Sequence, residues 1–173
     1  RQRGRTAEPQ LPGLAHGNVW SPEDVMRREA RLGNSVILYD EGGNWRGLGT
    51  AWALAEQGKR LTIVTPAAFL GQEIARTSAD APLRARLARA GARFLPESLI
   101  ARWHGNGATI RSLLTSVEET VPASALVMST TNIAFDPFPE QIPGKATHRI
   151  GDCVAPRLAP YAFHEGRKLA LFL

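Results

Sequence analysis

The sequence has little of what most active sites and export signals are built from. It holds one cysteine, Cys153, so no internal disulfide can form. A lone thiol fits a reducing compartment, and a cytoplasmic setting is expected. No apolar run approaches the roughly 20 residues that a membrane span needs. The basic start is not followed by an apolar stretch, so no signal peptide is expected. His104 and His148 have no partner at ligand spacing, and no metal site is expected. No Ser-His-Asp set and no paired carboxylate stands out, and Glu118-Glu119 reads as solvated charge in a hairpin. No residue is assigned to catalysis, and neither an internal repeat nor a low-complexity segment is present.

What is present is an ordinary globular composition. The chain has 173 residues, 43% of them hydrophobic, with a formal net charge of +5. That length fits one domain with a sizeable core. The arginines are scattered (Arg27, Arg28, Arg31, Arg84, Arg86, Arg89) and lack interleaved aromatics, so they read as solvated helix faces. No nucleic acid and no membrane is expected as partner. A nucleic-acid site would require a contiguous basic face and a steep salt dependence.

Residues 1–12 are polar and turn-prone and read as a tail or linker. Ser21-Pro22-Glu23-Asp24 has the composition of a helix start, and a helix is predicted from Pro22 to Ala30, with Gly33 as its stop. Ser35 to Asp40 is a short continuous apolar run, as in a parallel strand buried on both faces. A glycine-rich turn, a helix from Gly47 to Gln57 closed by Gly58, and a second buried strand over Leu61 to Thr65 complete a βαβ unit. Further helices are predicted over Ala67 to Ala75, Pro82 to Ala90 and Tyr161 to Leu173. Strands are predicted over Ala92 to Leu95, Ala125 to Ser129 and His148 to Gly151. Leu99 to Trp103, Ala108 to Leu114 and Ser116 to Val121 read as an antiparallel meander. The segment from Asn132 to Lys145 holds three prolines and reads as a loop. The predicted class is α/β: a Rossmann-like parallel sheet flanked by helices, with a small antiparallel β-meander.

Counting back from Gly58 lays the G-x-G-x-x-G spacing on Gly42, Asn44 and Gly47. In such a turn the first glycine permits the bend and the third permits close packing of helix on strand. The second normally lets the backbone approach a pyrophosphate at the positive end of the helix dipole. Three features depart from the pattern. Asn44 replaces the second glycine; it tolerates positive φ, but its side chain takes space a phosphate would use. Thr65-Pro66 stands where an acid usually binds the ribose hydroxyls. Asp40-Glu41 would repel a pyrophosphate unless Arg46 offsets them. Gly42, Gly43, Asn44, Trp45, Arg46, Gly47 and Thr65 are therefore candidate nucleotide contacts. The bland alternative is a turn that only joins strand to helix. Trp45 reads either as an adenine stack or as an aromatic that packs the loop.

Near the other end, Ile150-Gly151-Asp152-Cys153-Val154-Ala155-Pro156-Arg157 sets a glycine and an aspartate before a helix. Gly151, Asp152 and Arg157 are candidates for holding a flavin, with Asp152 on the ribityl chain; the alternative is that Asp152 only caps the next segment. Cys153 has no neighbouring base and reads as inert.

Gly151-Asp152, Ala155-Pro156-Arg157 and His164-Glu165-Gly166-Arg167 resemble the C-terminal region of the trimethylamine dehydrogenase and 2,4-dienoyl-CoA reductase family, one of NADH:flavin oxidoreductases. The same family is similar at Tyr39 to Trp45, at Ala55-Glu56-Gln57-Gly58, at Leu61 to Pro66, at Leu11-Pro12-Gly13 and at Ser21 to Val25. The resemblance covers nearly the whole chain. It implies a larger parent, in which an N-terminal TIM barrel carries FMN and a four-iron cluster. Two Rossmann-like domains follow, the second inserted into the first. On that plan residues 1–34 are linker and helix of the outer flavin-type domain. Residues 35–131 are the inner nucleotide-binding domain, and residues 132–173 return to the outer one. One cysteine cannot hold the cluster, and the first glycine fingerprint of the outer domain would lie upstream of Arg1, so an FAD site is only half present. The expected ligand is a small nucleotide, ADP or NAD(P)H; Asn44 and Thr65 favour the amine dehydrogenase branch, which keeps ADP as a static ligand. The expected partner is the TIM-barrel region of the same protein. A non-binding structural or oligomerisation domain is the alternative.

Overall fold

The computed structural model describes residues 11–136 and 144–173. The chain divides into a larger unit that ends at Thr130 and a smaller one that begins at Thr131.

The larger unit is built on a parallel sheet. Its strands are β1 (Val19–Trp20), β2 (Ser35–Asp40), β3 (Arg60–Val64), β4 (Arg93–Leu95) and β8 (Ala125–Ser129). Their order across the sheet is β1-β8-β2-β3-β4, and every pairing is parallel. Alternation along β2 shows how the layers arise. Val36 and Leu38 point into a core with Leu48, Leu54, Ile63, Leu83 and Leu87, under the helices α2 (Trp45–Glu56) and α3 (Asp80–Arg89). Ile37 and Tyr39 point the other way, toward Trp103, Ile110 and Val121 of an antiparallel meander of β5 (Ser98–Trp103), β6 (Gly107–Ser112) and β7 (Glu118–Pro122). Strands covered on both faces must be apolar throughout, which is why β2 and β8 read as unbroken hydrophobic runs. Trp103 is fully buried, and its indole N–H donates to the Gly17 carbonyl at 2.8 Å.

The predicted class stands, and several boundaries move. Helix α1 covers only Pro22–Met26. Ser21 and Asp24 close a capping box at its start, but Arg28 sits at φ 60° and the helix stops at Met26, four residues short of the predicted end at Ala30 and well before Gly33. The helix predicted over Ala67 to Ala75 is not formed; that stretch is turns, with a single 3-10 turn at Ile74–Thr77. Gly71 at φ 84° and the Thr65 hydroxyl, which accepts the Ala67 amide at 3.2 Å, hold it out of helical form. Glu118 and Glu119 are not merely solvated: they pair with Arg111 and Arg93.

In the smaller unit, the strand predicted over His148 to Gly151 is absent, and Gly151–Cys153 form a 3-10 turn. Helix α4 spans Ala159–Ala170. The predicted loop from Asn132 to Lys145 lies partly outside the described residues. Tyr161, Phe163, Leu171 and Phe172 are all more than half exposed. Among the described residues no helix is long and apolar enough to cross a membrane.

Candidate functional site

The larger unit's candidate site lies at the carboxyl end of β2. There the strand order reverses: the chain leaves β2 toward β3 and β4 on one side, while β8 and β1 lie on the other. In open parallel sheets this crevice is where ligands bind. The Glu41 amide donates to the Ser129 carbonyl at 3.1 Å and locks the turn onto β8.

The bend is made by Gly43, at φ 57°. This corrects the expectation for Asn44, which is extended at φ −115° and is the N-cap of α2. Its Oδ1 accepts the Arg46 amide at 3.0 Å, so one helix N-terminal N–H is already taken. Gly42 is needed because a Cβ there would lie 2.7 Å from the Asn44 amide nitrogen. Gly47 has the tightest surroundings: a Cβ would lie 2.2 Å from Asp40 Oδ1 and 2.8 Å from Ser129 Oγ. Its close-packing role therefore holds, with a side chain rather than backbone as the neighbour. One flank of the turn is closed by the segment after β3, whose Glu73 and Ile74 amides both donate to the Gly43 carbonyl, at 3.1 and 3.3 Å.

Arg46 does not offset Asp40 and Glu41 in the way the sequence invited. Its Nε and Nη2 grip the two oxygens of Glu23 at 2.6 and 2.9 Å, and Nη1 donates to the Thr130 carbonyl at 2.9 Å. The Arg46 hydrogen bond holds the Glu23 carboxyl below the usual carboxylate range. This two-point pair joins α1 to α2. Thr65 is buried, and its hydroxyl is committed to the Ala67 amide. Trp45, the first residue of α2, leaves 52% of its surface to solvent, so the packed reading of its ring does not hold.

Asp40 is the residue whose weight the sequence hid. It is wholly buried, at 0% exposure, and neither carboxylate oxygen has a well-aligned hydrogen-bond donor. Burial pushes its pKa up to about 6; the Gly43 amide, the Ser129 hydroxyl, the Gly42 amide and the Arg46 charge pull it only partly back. The signal was an acid that ends a strand apolar on both faces, next to Ser129-Thr130 at the end of β8. Weighed only as a charge that would repel a pyrophosphate, it gave no hint of burial. The Thr130 hydroxyl is also buried without a partner.

The smaller unit holds the second set. Gly151, at φ 71°, donates its amide to Glu165 Oε2 at 2.6 Å, and Glu165 also pairs with Arg157. The Arg157 guanidinium lies 5.1 Å from the Tyr161 ring centre. Asp152 accepts the Arg157 amide at 3.4 Å, as a local cap does. The Gly151 amide and the Arg157 cation thus meet on one carboxylate, Glu165, which belongs to a string noted in the sequence but not to the candidate set. Gly42 to Gly47 and Thr65 belong to the larger unit; Gly151, Asp152 and Arg157 belong to the smaller. Among the described residues no group of three His, Cys, Asp or Glu is placed to hold a metal.

No family model matches the chain, and no curated protein does. Solved structures do. A 6-hydroxypseudooxynicotine amine oxidase from Pseudomonas geniculata N1 is 28% identical over 95% of this chain, with a TM-score of 0.83. Histamine dehydrogenase from Rhizobium sp. 4-9 is 20% identical over 100% of it, with a TM-score of 0.86. A 2-naphthoyl-CoA reductase, solved with 2-naphthoyl-CoA, is 22% identical over 99%, with a TM-score of 0.78. The chain spans only 26%, 29% and 26% of the length of those three proteins. The resemblance read from the residues is thus borne out: this chain is similar in fold to the C-terminal region of the trimethylamine dehydrogenase and 2,4-dienoyl-CoA reductase family.

Proposed function

We propose that the chain is the nucleotide-binding module of a flavin and iron–sulfur dependent oxidoreductase of the amine dehydrogenase or enoate reductase type. The observation that carries this reading is the strand–glycine turn–helix at the point of strand reversal, within a fold shared over 95% of the chain with an amine oxidase and over 100% with a histamine dehydrogenase. The module's role is to hold ADP, or NAD(P)H, against the turn from Gly42 to Gly47, with Trp45 offering its open face to the base. It would not turn over substrate alone. FMN and a four-iron cluster would belong to a barrel region outside this chain, which is also its proposed partner. The smaller unit would contribute Asp152 to half of an FAD-type site. The domain plan of residues 1–34, 35–131 and 132–173 is part of the same proposal.

A specific observation favours a second reading. Asn44 caps α2, Arg46 is bound to Glu23, and Asp40 lies against the turn's glycines. Such a turn can serve as a rigid joint in an assembly that binds no nucleotide. Calorimetric titration of the purified protein with ADP, NADH, NADPH and FAD separates the two. The first reading expects saturable binding of at least one of them, with ADP the tightest. No saturation with any would leave the structural reading.

A further inference from the structure

The N-terminus of α2 is the positive end of a twelve-residue helix. Its dipole is worth roughly half an elementary charge, and an anion is normally what offsets it. Here an anion is already in the protein. The Asp40 carboxyl lies against Gly47 of the first helical turn, at 0% exposure, with neither oxygen in a well-aligned hydrogen bond, although the nearby Gly42 and Gly43 amides favour its charged form. Its one full charge exceeds the half charge of the helix end, and in the interior that excess is poorly screened. Among the described residues the Arg46 charge reaches it but offsets it only in part. Among the charged groups on the elements around the turn, Arg46 on α2 is held by Glu23 on α1. Glu41 beside it carries the same sign as Asp40, and Glu73 on the flanking segment is paired with Arg76. At and just beyond the ends of β8 and β3 the buried polar groups among the described residues are the hydroxyls of Ser129, Thr130 and Thr65.

We propose that Asp40 determines which ligand the turn accepts: ionised, it is the resident anion of the α2 N-terminus and opposes a diphosphate; protonated, it leaves the helix end to the ligand. It acts through the amides and the field, without touching the nucleotide, and is a positioning residue. This inference rests on the nucleotide reading above. It predicts that affinity for a nucleoside diphosphate strengthens as Asp40 takes up its proton.

The test uses ADP-ribose, a diphosphate diester with no titrating group of its own in the range, and adenosine, which has no phosphate. Both are titrated into the wild-type protein and D40N by calorimetry at about pH 5 and about pH 8. One coupled proton changes affinity by up to about tenfold per pH unit above its midpoint. The wild type is expected to bind ADP-ribose about tenfold or more tighter at the lower pH. D40N is expected to bind equally at both, as tightly as the wild type at low pH, and adenosine to be indifferent to both changes. An equal pH slope in D40N and wild type, or binding of ADP-ribose by the wild type that ignores pH, overturns the role of Asp40 and leaves the nucleotide reading intact. No binding by either protein at either pH overturns both. A neutral amide at position 40 keeps the shape of the carboxyl, and the wild-type pH profile decides the matter even if D40N folds poorly.

Discussion

The turn after β2 and the turn after Ile150 are made alike and behave differently. Each bends at a glycine in the left-handed region, Gly43 at φ 57° and Gly151 at φ 71°. Each directs glycine amides toward an acid, and each has an arginine bound to a glutamate. The difference is water. Glu165 is exposed enough that the Gly151 amide and Arg157 simply hold it in its charged form, below the usual carboxylate range. Asp40 is sealed from solvent, and burial outweighs the same kind of donors. One geometry yields a surface clamp in one place and a proton-binding group in the other, because desolvation decides which protonation state survives.

The largest expected effect that sharpens this contrast is steric. Gly47→Ala places a methyl group 2.2 Å from the Asp40 carboxylate, in a site with no room to yield. It is expected to cost ~2–3 kcal/mol, as overpacking of a core does. Gly166→Ala in α4 meets nothing nearer than 3.9 Å and is expected to be neutral or to stabilise by ~0.5–1 kcal/mol, through helix propensity. Denaturant melts of the two variants check both. Equal costs would mean that the tightness around Gly47 is not real.

Next comes charge. The Asp40 pKa is raised from 3.8 to about 6, so the folded state binds the proton more tightly than the unfolded one. That contribution to stability is complete below about pH 4 and is lost as the pH rises through about 6. Asp40→Asn is therefore expected to stabilise the fold at pH 8, by ~1–3 kcal/mol, and the gain should vanish below about pH 4. Glu165→Gln should act in the opposite sense. Its folded pKa is lowered, so its contribution is present above the usual carboxylate pKa and lost as the pH falls through the folded value. Thermal melts across pH of the two variants should cross; parallel curves would break the comparison.

Smaller still is the ion pair beside the turn. Arg46→Gln removes the two-point contact with Glu23, whose side chain is 40% exposed. A loss of ~1 kcal/mol is expected, with solvent screening the rest. The Glu23 carboxyl should return toward its ordinary pKa, which an NMR pH titration reads directly. Least of all for stability, Trp45→Ala should move the melting temperature little, because the ring is half in water, yet it should weaken ADP binding about tenfold or more if the base stacks there.

Much of the fold was legible because burial leaves a plain trace. Strands β2, β3 and β8 are apolar runs with both faces covered, and α2 ends at Gln57 with Gly58 at φ 71° beyond it. What misled were local backbone states that side-chain type does not announce. Arg28 at φ 60° ends α1 early, and the glycine at 71 with the Thr65 hydroxyl keeps the stretch after β3 from coiling. At the site, the glycine spacing located the turn, but which residue takes positive φ, Gly43 and not Asn44, depends on the capping bond that Asn44 makes. The burial of Asp40 and the capture of Arg46 by Glu23 join residues on different elements, so no local pattern could show them.

The central claim is that the Asp40 proton and a bound diphosphate favour each other, and linkage makes that coupling visible from the protein side. The Asp40 carboxyl can be followed by carbon NMR through a pH titration, free and with saturating ADP-ribose. The account predicts that the ligand raises the Asp40 pKa further above its free value of about 6; a pKa that stays in place, or falls, when the ligand is bound would contradict it.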